Sequence, residues 1–152
     1  MADEDHGHDH RRIEGTQAIT TVSFGQWMSS PPLDRFANAN SGAGNGHHVI
    51  LFFVRIKAAG VVNFAIGGLH QVIVYGPDVR PEDINADLVV PGSTPPLIDD
   101  PTNRVYRGVD PRTQPRDRVE VVQFPNRGLY LVICGVQPHF VNDDMFGYVR
   151  VK

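Results

Sequence analysis

Eight of the twelve prolines lie between residues 76 and 117, at positions 77, 81, 91, 95, 96, 101, 111 and 115. Proline has no N–H to give to a ladder, so this stretch holds edge pieces at most and reads as an ordered, irregular excursion. The regular structure must then come from the flanking segments, and these carry strand signals. Gln17–Phe24 is rich in Thr, Val and Ile, and Val49–Lys57 and Val61–Ile66 flank the turn-like Ala58-Ala-Gly60. Leu69–Tyr75, Arg118–Phe124, Gly128–Cys134 and Met145–Val151 complete a set of seven. Pro125-Asn-Arg, between two of them, reads as a short hairpin connection. Helix signals are nearly absent: only Pro81–Leu88, with Pro at a first-turn position and acids behind it, predicts a short one. The pattern predicts an all-β chain, an antiparallel sandwich of Greek-key type with one long Pro-rich loop and at most a short helix.

At 152 residues the chain is long enough for one domain with a real core. Residues 1–15 are acidic, carry His6, His8 and His10 at alternate positions and lack apolar periodicity, so a flexible tail is expected there. Residues 16–152 are expected to form the single domain. A second polar, glycine-rich connection covers residues 34–48, and its His47 and His48 read as solvated. The net charge is −3 with a sequence pI near 6.1. No basic footprint exists for phosphate, which argues against nucleic acid as a partner. The longest clear apolar run, Val49 to Val54, is far short of a membrane span. The opening residues lack the basic-then-apolar pattern of a secretory signal, so an exported form would be the mature chain.

The single cysteine excludes an internal disulfide framework. Leu129–Cys134 is continuously apolar, as in a strand buried on both faces, and a period of two puts Tyr130, Val132 and Cys134 on one face. Cys134 therefore points inward where the chain leaves the sheet. His139 follows five residues later and Met145 six beyond that. Thiolate, imidazole and thioether on one short loop are a soft donor set of the kind that selects copper. His70, in Gly67-Gly-Leu-His70-Gln-Val, is the best candidate for the second imidazole. Asn142, Asp143 and Asp144 offer harder alternatives to Met145 as a fourth donor.

Cys134-Gly-Val-Gln-Pro-His139, followed by Met145-Phe-Gly147-Tyr-Val149-Arg-Val151, resembles the ligand loop and closing strand of the cupredoxin (type 1, or blue copper) family. Val54-Arg-Ile-Lys-Ala-Ala-Gly60-Val-Val-Asn-Phe64, followed by Gly67-Gly-Leu-His70, resembles the strand, turn and strand that deliver that family's first histidine. The likeness spans about residues 17–152. It implies one copper ion held by His70, Cys134 and His139 as equatorial ligands and Met145 as a weak axial one. Three features depart from the pattern: Gln71 stands where the family often has an Asn that ties the two ligand loops together, the interval from His139 to Met145 is at the long end, and the loop over residues 76–117 is long for a small member of the family.

The resemblance also implies a function. A copper with four protein ligands and no open position favours electron transfer over substrate chemistry. Copper enzymes of the wider superfamily place a His beside the Cys, whereas Cys134 lies between Ile133 and Gly135. The expectation is a non-enzymatic carrier of single electrons, working outside the cytoplasm, periplasmic in a bacterium. Its redox partner would dock transiently at an apolar rim made by Pro138, His139 and Phe140, steered by Asp143 and Asp144. The alternative is a copper-binding or delivery protein that uses the same core together with the His-rich tail.

Overall fold

A computed structural model describes residues 17–25, 49–50, 52–113 and 115–152. The tail, the 34–48 connection and all five histidines they carry lie outside the described residues. Nine strands and one short helix are present among those described: β1 (Ile19–Gly25), β2 (Val49–Ile50), β3 (Phe53–Ile56), β4 (Gly60–Gly67), β5 (Val72–Tyr75), β6 (Arg104–Arg107), β7 (Arg118–Phe124), β8 (Gly128–Cys134), α1 (Gln137–Asp143) and β9 (Phe146–Val151). They form two sheets, in the orders β2-β1-β4-β7 and β3-β9-β8-β5-β6. This is the all-β sandwich expected from the strand signals.

The sheets are mixed rather than antiparallel. β1 runs parallel to β4 over seven residue pairs, and β3 runs parallel to β9. The expected Val49–Lys57 strand is two strands, β2 and β3, which belong to opposite sheets. Pro125-Asn-Arg is not a hairpin either. β7 and β8 pair in different sheets, so these three residues carry the chain across the sandwich. Alternation along a strand reports which face is buried, and it does not report which neighbour supplies the ladder.

The core has two layers. Tyr130, Val132 and Cys134 of β8 point between the sheets, into a cluster with Phe24, Phe64, Val72, Val74, Phe124 and Met145. Ile73, Tyr75, Leu131 and Ile133 point the other way, where Ile84, Ile98 and Phe140 cover them. The Pro-rich excursion thus supplies Ile84 and Ile98 as an outer lid on the second sheet. Each such side chain taken fully out of water contributes about 1.5–3 kcal/mol. That is why Gly128–Cys134 shows no polar alternation: both of its faces are covered. Among its described residues the excursion contains one strand, β6, at a sheet edge, as its proline content demands. Pro81–Leu88 forms only a single 3-10 turn, Pro81–Asp83, closed by Asp83 accepting from the Arg80 backbone N–H and side chain. Beyond it, the buried Ile84 takes an extended backbone. No helix among the described residues is long and apolar enough to cross a membrane.

Candidate metal centre

At one end of the sandwich three side chains converge. The Nδ1 atoms of His70 and His139 are 3.1 Å apart, and the Cys134 sulfur is 3.7 Å from the first and 3.8 Å from the second. This is a nearly equilateral triangle. A point within it lies about 2 Å from each corner, the bonding distance of a d-block metal to imidazole nitrogen and slightly short of that to thiolate sulfur. The donor set is two borderline nitrogens and one soft sulfur, chemistry suited to copper. The three groups have the spacing and softness that such an ion requires.

Each corner is delivered differently. Cys134 ends β8, opposite Val72 of β5, and is completely buried. His70 lies two residues ahead of β5 and is only 2 % exposed, with its ring edge-on to Phe24 at 6.1 Å. His139 sits half-buried in the first turn of α1, a helix that was not expected from the sequence. Pro138 occupies a first-turn position, where its missing N–H costs nothing. α1 ends at Asp144 in the left-handed region, φ 50°, and there the Met145 N–H reaches back to the His139 carbonyl at 3.2 Å. The Cys134 N–H donates to the Met145 carbonyl at 3.0 Å, so the loop closes on itself. Met145 is fully buried in the same cluster as Cys134, whereas Asn142, Asp143 and Asp144 are exposed. Phe140 does not form the expected rim: it is buried in the outer cluster. Pro138 and His139 remain partly exposed.

The Gln71 side chain does not take the place of the family's asparagine. Its Nε2 donates to the Gly108 carbonyl at 3.1 Å, and its buried Oε1 has no hydrogen-bond partner among the described residues. Instead the main chain links the two ligand-bearing segments, with the Gly135 N–H donating to the Gln71 carbonyl at 2.7 Å. Burial pushes the Cys134 thiol up to about 12, while hydrogen bonds from the backbone of Gln71 and Val136 and the charge of Arg118 pull it down. A buried thiolate therefore needs a cation beside it.

Three contributors were not foreseen. Gly25, at the end of β1, has φ +110°, and a Cβ there would strike the Gly67 carbonyl and lie 2.5 Å from Cδ2 of His70. The missing side chain makes room for the imidazole. Gly135 similarly lies where a Cβ would meet Gln71 Oε1 at 2.5 Å. Arg118 donates to the His70 carbonyl at 2.8 Å. The glycines were visible in the sequence as strand ends, but nothing local marked Arg118, which reaches His70 across 48 residues.

No protein-family model matches the sequence, and neither does any curated protein sequence. Solved structures do match. An auracyanin from Roseiflexus castenholzii superposes with a TM-score of 0.55 at 14% identity, covering 91% of this chain and 99% of that one. Auracyanin A of Chloroflexus aurantiacus, described as a "blue" copper protein, gives a TM-score of 0.51 at 18% identity, covering 88% of this chain and 99% of its own. This is a cupredoxin fold. In cupredoxin terms the triangle lies at one end of the sandwich, where the segment before β5 and the β8–β9 connection meet. The long 76–117 excursion braces that connection. Leu97 bridges to Val136, the Ile98 N–H donates to the Gly135 carbonyl at 2.8 Å, and the Gln137 N–H donates to that of Pro96 at 2.9 Å.

Proposed function

We propose that this chain is a mononuclear copper protein that carries single electrons, with His70, Cys134 and His139 as equatorial ligands and Met145 as the weak axial one. The observation that carries the reading is the triangle of two imidazole nitrogens and one thiol sulfur, with sides of 3.1, 3.7 and 3.8 Å. The burial of Met145 beside Cys134, with the neighbouring acids turned to solvent, supports it as the fourth donor. When bound, copper would supply a one-electron couple between its two oxidation states.

The chain's own residues would then do three things. The rigid frame holds the donors in one arrangement, so little rearrangement accompanies electron gain or loss. Burial of Cys134 and the backbone hydrogen bonds to its sulfur tune the potential. The partly exposed His139, beside Pro138, is the route by which the electron leaves. With these four protein donors no position would be left open for a substrate, so the proposed role is that of a carrier and not of an enzyme. A redox protein would dock briefly over His139 and Pro138, with the exposed Asp143 and Asp144 steering a basic partner at low ionic strength. Residues 16–152 act as one domain, and the protein works outside the cytoplasm. There a single cysteine persists only if it is buried or metal-bound, and Cys134 is buried.

The test is to add copper(II) to the purified chain and to record visible absorption and electron paramagnetic resonance, then to repeat both on Cys134→Ser and Met145→Leu. An intense thiolate-to-copper band is expected in the parent, abolished by the first change and shifted by the second. A parent chain that binds copper without such a band, or one whose band survives Cys134→Ser, overturns the reading.

A further inference from the structure

A buried ion pair stands directly behind the first histidine. Arg118 opens β7 opposite Ile66 of β4, beside the turn that leads to His70. Its Nη2 donates to the His70 carbonyl at 2.8 Å, and its Nε donates to Glu120 Oε2 at 2.9 Å. The other oxygen of Glu120 accepts from the Tyr106 hydroxyl at 2.6 Å and from the Val109 N–H at 3.2 Å. The side chains of Arg118 and Glu120 are 10 % and 8 % exposed. The network continues into the next segment, where the Gly108 N–H donates to the Val72 carbonyl at 2.7 Å and the Gly108 carbonyl accepts from Gln71.

A buried ion pair is a poor way to gain stability, because desolvating both charges offsets most of their attraction. Apolar residues of similar volume on β7 would fill the same space. What they could not do is donate to a carbonyl that lies ahead of β5, outside the sheet ladder. The pair has a second property. While both members are present their charges largely cancel, and the guanidinium lies directly against the backbone of His70, at one corner of the donor triangle.

We propose that Arg118 is a positioning residue for His70 in the copper site, and that Glu120 both aims its guanidinium and neutralises it, so that the pair helps to set the reduction potential. This rests on the copper reading above. Residues that orient metal ligands from outside the coordination shell typically change metal affinity about 10–100-fold when replaced. Removing Glu120 leaves a positive charge, which favours the reduced ion and raises the potential. Removing Arg118 leaves a negative charge, which lowers it.

The experiment compares the full chain with Arg118→Gln, Glu120→Gln, the double variant and Arg118→Lys. The readouts are copper(I) affinity by chelator competition, reduction potential by spectroelectrochemical titration, and the histidine ring signals of the copper-free protein by nitrogen-15 NMR. Arg118→Gln is expected to weaken affinity by about 10–100-fold and to lower the potential, and Glu120→Gln to raise it. The double variant should return the potential towards the parent value without restoring affinity. Arg118→Lys keeps the charge without the planar fork, so it should hold the potential and lose affinity. In the copper-free chain, Arg118→Gln should move the His70 ring signals, and those of His139, whose Nδ1 lies 3.1 Å from that of His70, by less. Shifts of potential in the same direction for Arg118→Gln and Glu120→Gln would overturn the charge role, since simple loosening acts alike in both. Unchanged affinity in Arg118→Gln and Arg118→Lys, or unmoved His70 signals, would overturn the positioning role. A parent chain with no thiolate-to-copper band would fail the copper reading, while the NMR comparison would still decide whether Arg118 holds His70.

Discussion

His70 and His139 reach the same point by opposite kinds of support. His70 sits on a segment outside any strand, deeply buried and held from behind by a guanidinium distant in sequence. His139 sits on a short helix near the surface, held by main-chain bonds to residues within six positions and braced by the excursion's backbone. One arm depends on side chains brought together by the fold, and the other largely on local geometry. The difference predicts which arm tolerates change. Main-chain bonds survive most substitutions, whereas a charge-assisted bond between a side chain and a carbonyl disappears with that side chain.

The largest effect should come from an attack on the corner that both arms share. Burial raises the Cys134 thiol to about 12 from an ordinary value of 9.0. The neutral thiol is therefore favoured in the folded chain. Its contribution to stability is complete below about pH 9 and is lost as pH rises from there through 12. Copper-free protein should lose roughly 4 kcal/mol across that window, at about 1.4 kcal/mol per pH unit. Urea denaturation at pH 8 and at pH 11 checks this, about 3 kcal/mol of the loss falling within that interval, with Cys134→Ala showing a flatter profile. Tyr75, also raised to about 12 by burial and the nearby charge of Asp100, adds to the loss in both chains.

Two alanine substitutions break the comparison arm by arm. Gly25→Ala should cost about 3 kcal/mol, combining left-handed backbone strain with a collision. Its Cβ would press on the Gly67 carbonyl, which cannot swing away, and on the His70 ring. Gly135→Ala should cost about 2 kcal/mol. It meets the far ends of Gln71 and Ile73, which can shift by a rotamer. Urea midpoints of the two copper-free variants decide the order, and equal losses would show that the arms are equally stiff.

The smallest effect belongs to the exposed end of the His139 arm. Asp143→Asn combined with Asp144→Asn should leave stability within about 0.5 kcal/mol, because Asn accepts the left-handed backbone at position 144. The change should instead flatten the salt dependence of electron transfer to a basic redox protein, read by stopped-flow kinetics. Kinetics unchanged by both salt and the double substitution would remove steering by these acids.

Much of the frame was legible because burial writes itself into single residues. The unbroken apolar run to Cys134 reports a strand covered on both faces, and the prolines of 76–117 report a segment barred from the centre of a sheet. Partnership between strands was less legible. The hairpin read at Pro125-Asn-Arg is a crossing between sheets, and Val49–Lys57 divides between them, because short connections look alike whichever sheet receives the next strand. The α1 helix was hidden for a related reason: seven residues between two strands carry too little periodicity to separate a turn of helix from a loop.

By itself, the sequence determined the donor types, their order and the inward aim of Cys134, since these follow from residue identity and the two-residue period of a strand. Only the tertiary structure decided that His70 stands 3.1 Å from His139, that Gly25 leaves space for its ring, and that Arg118 grips its carbonyl. Those contacts join residues from 45 to 69 positions apart. Local propensity says nothing about such distances. They are set when the two sheets close on a common core and the chain ends of β1, β4, β7 and β8 come together.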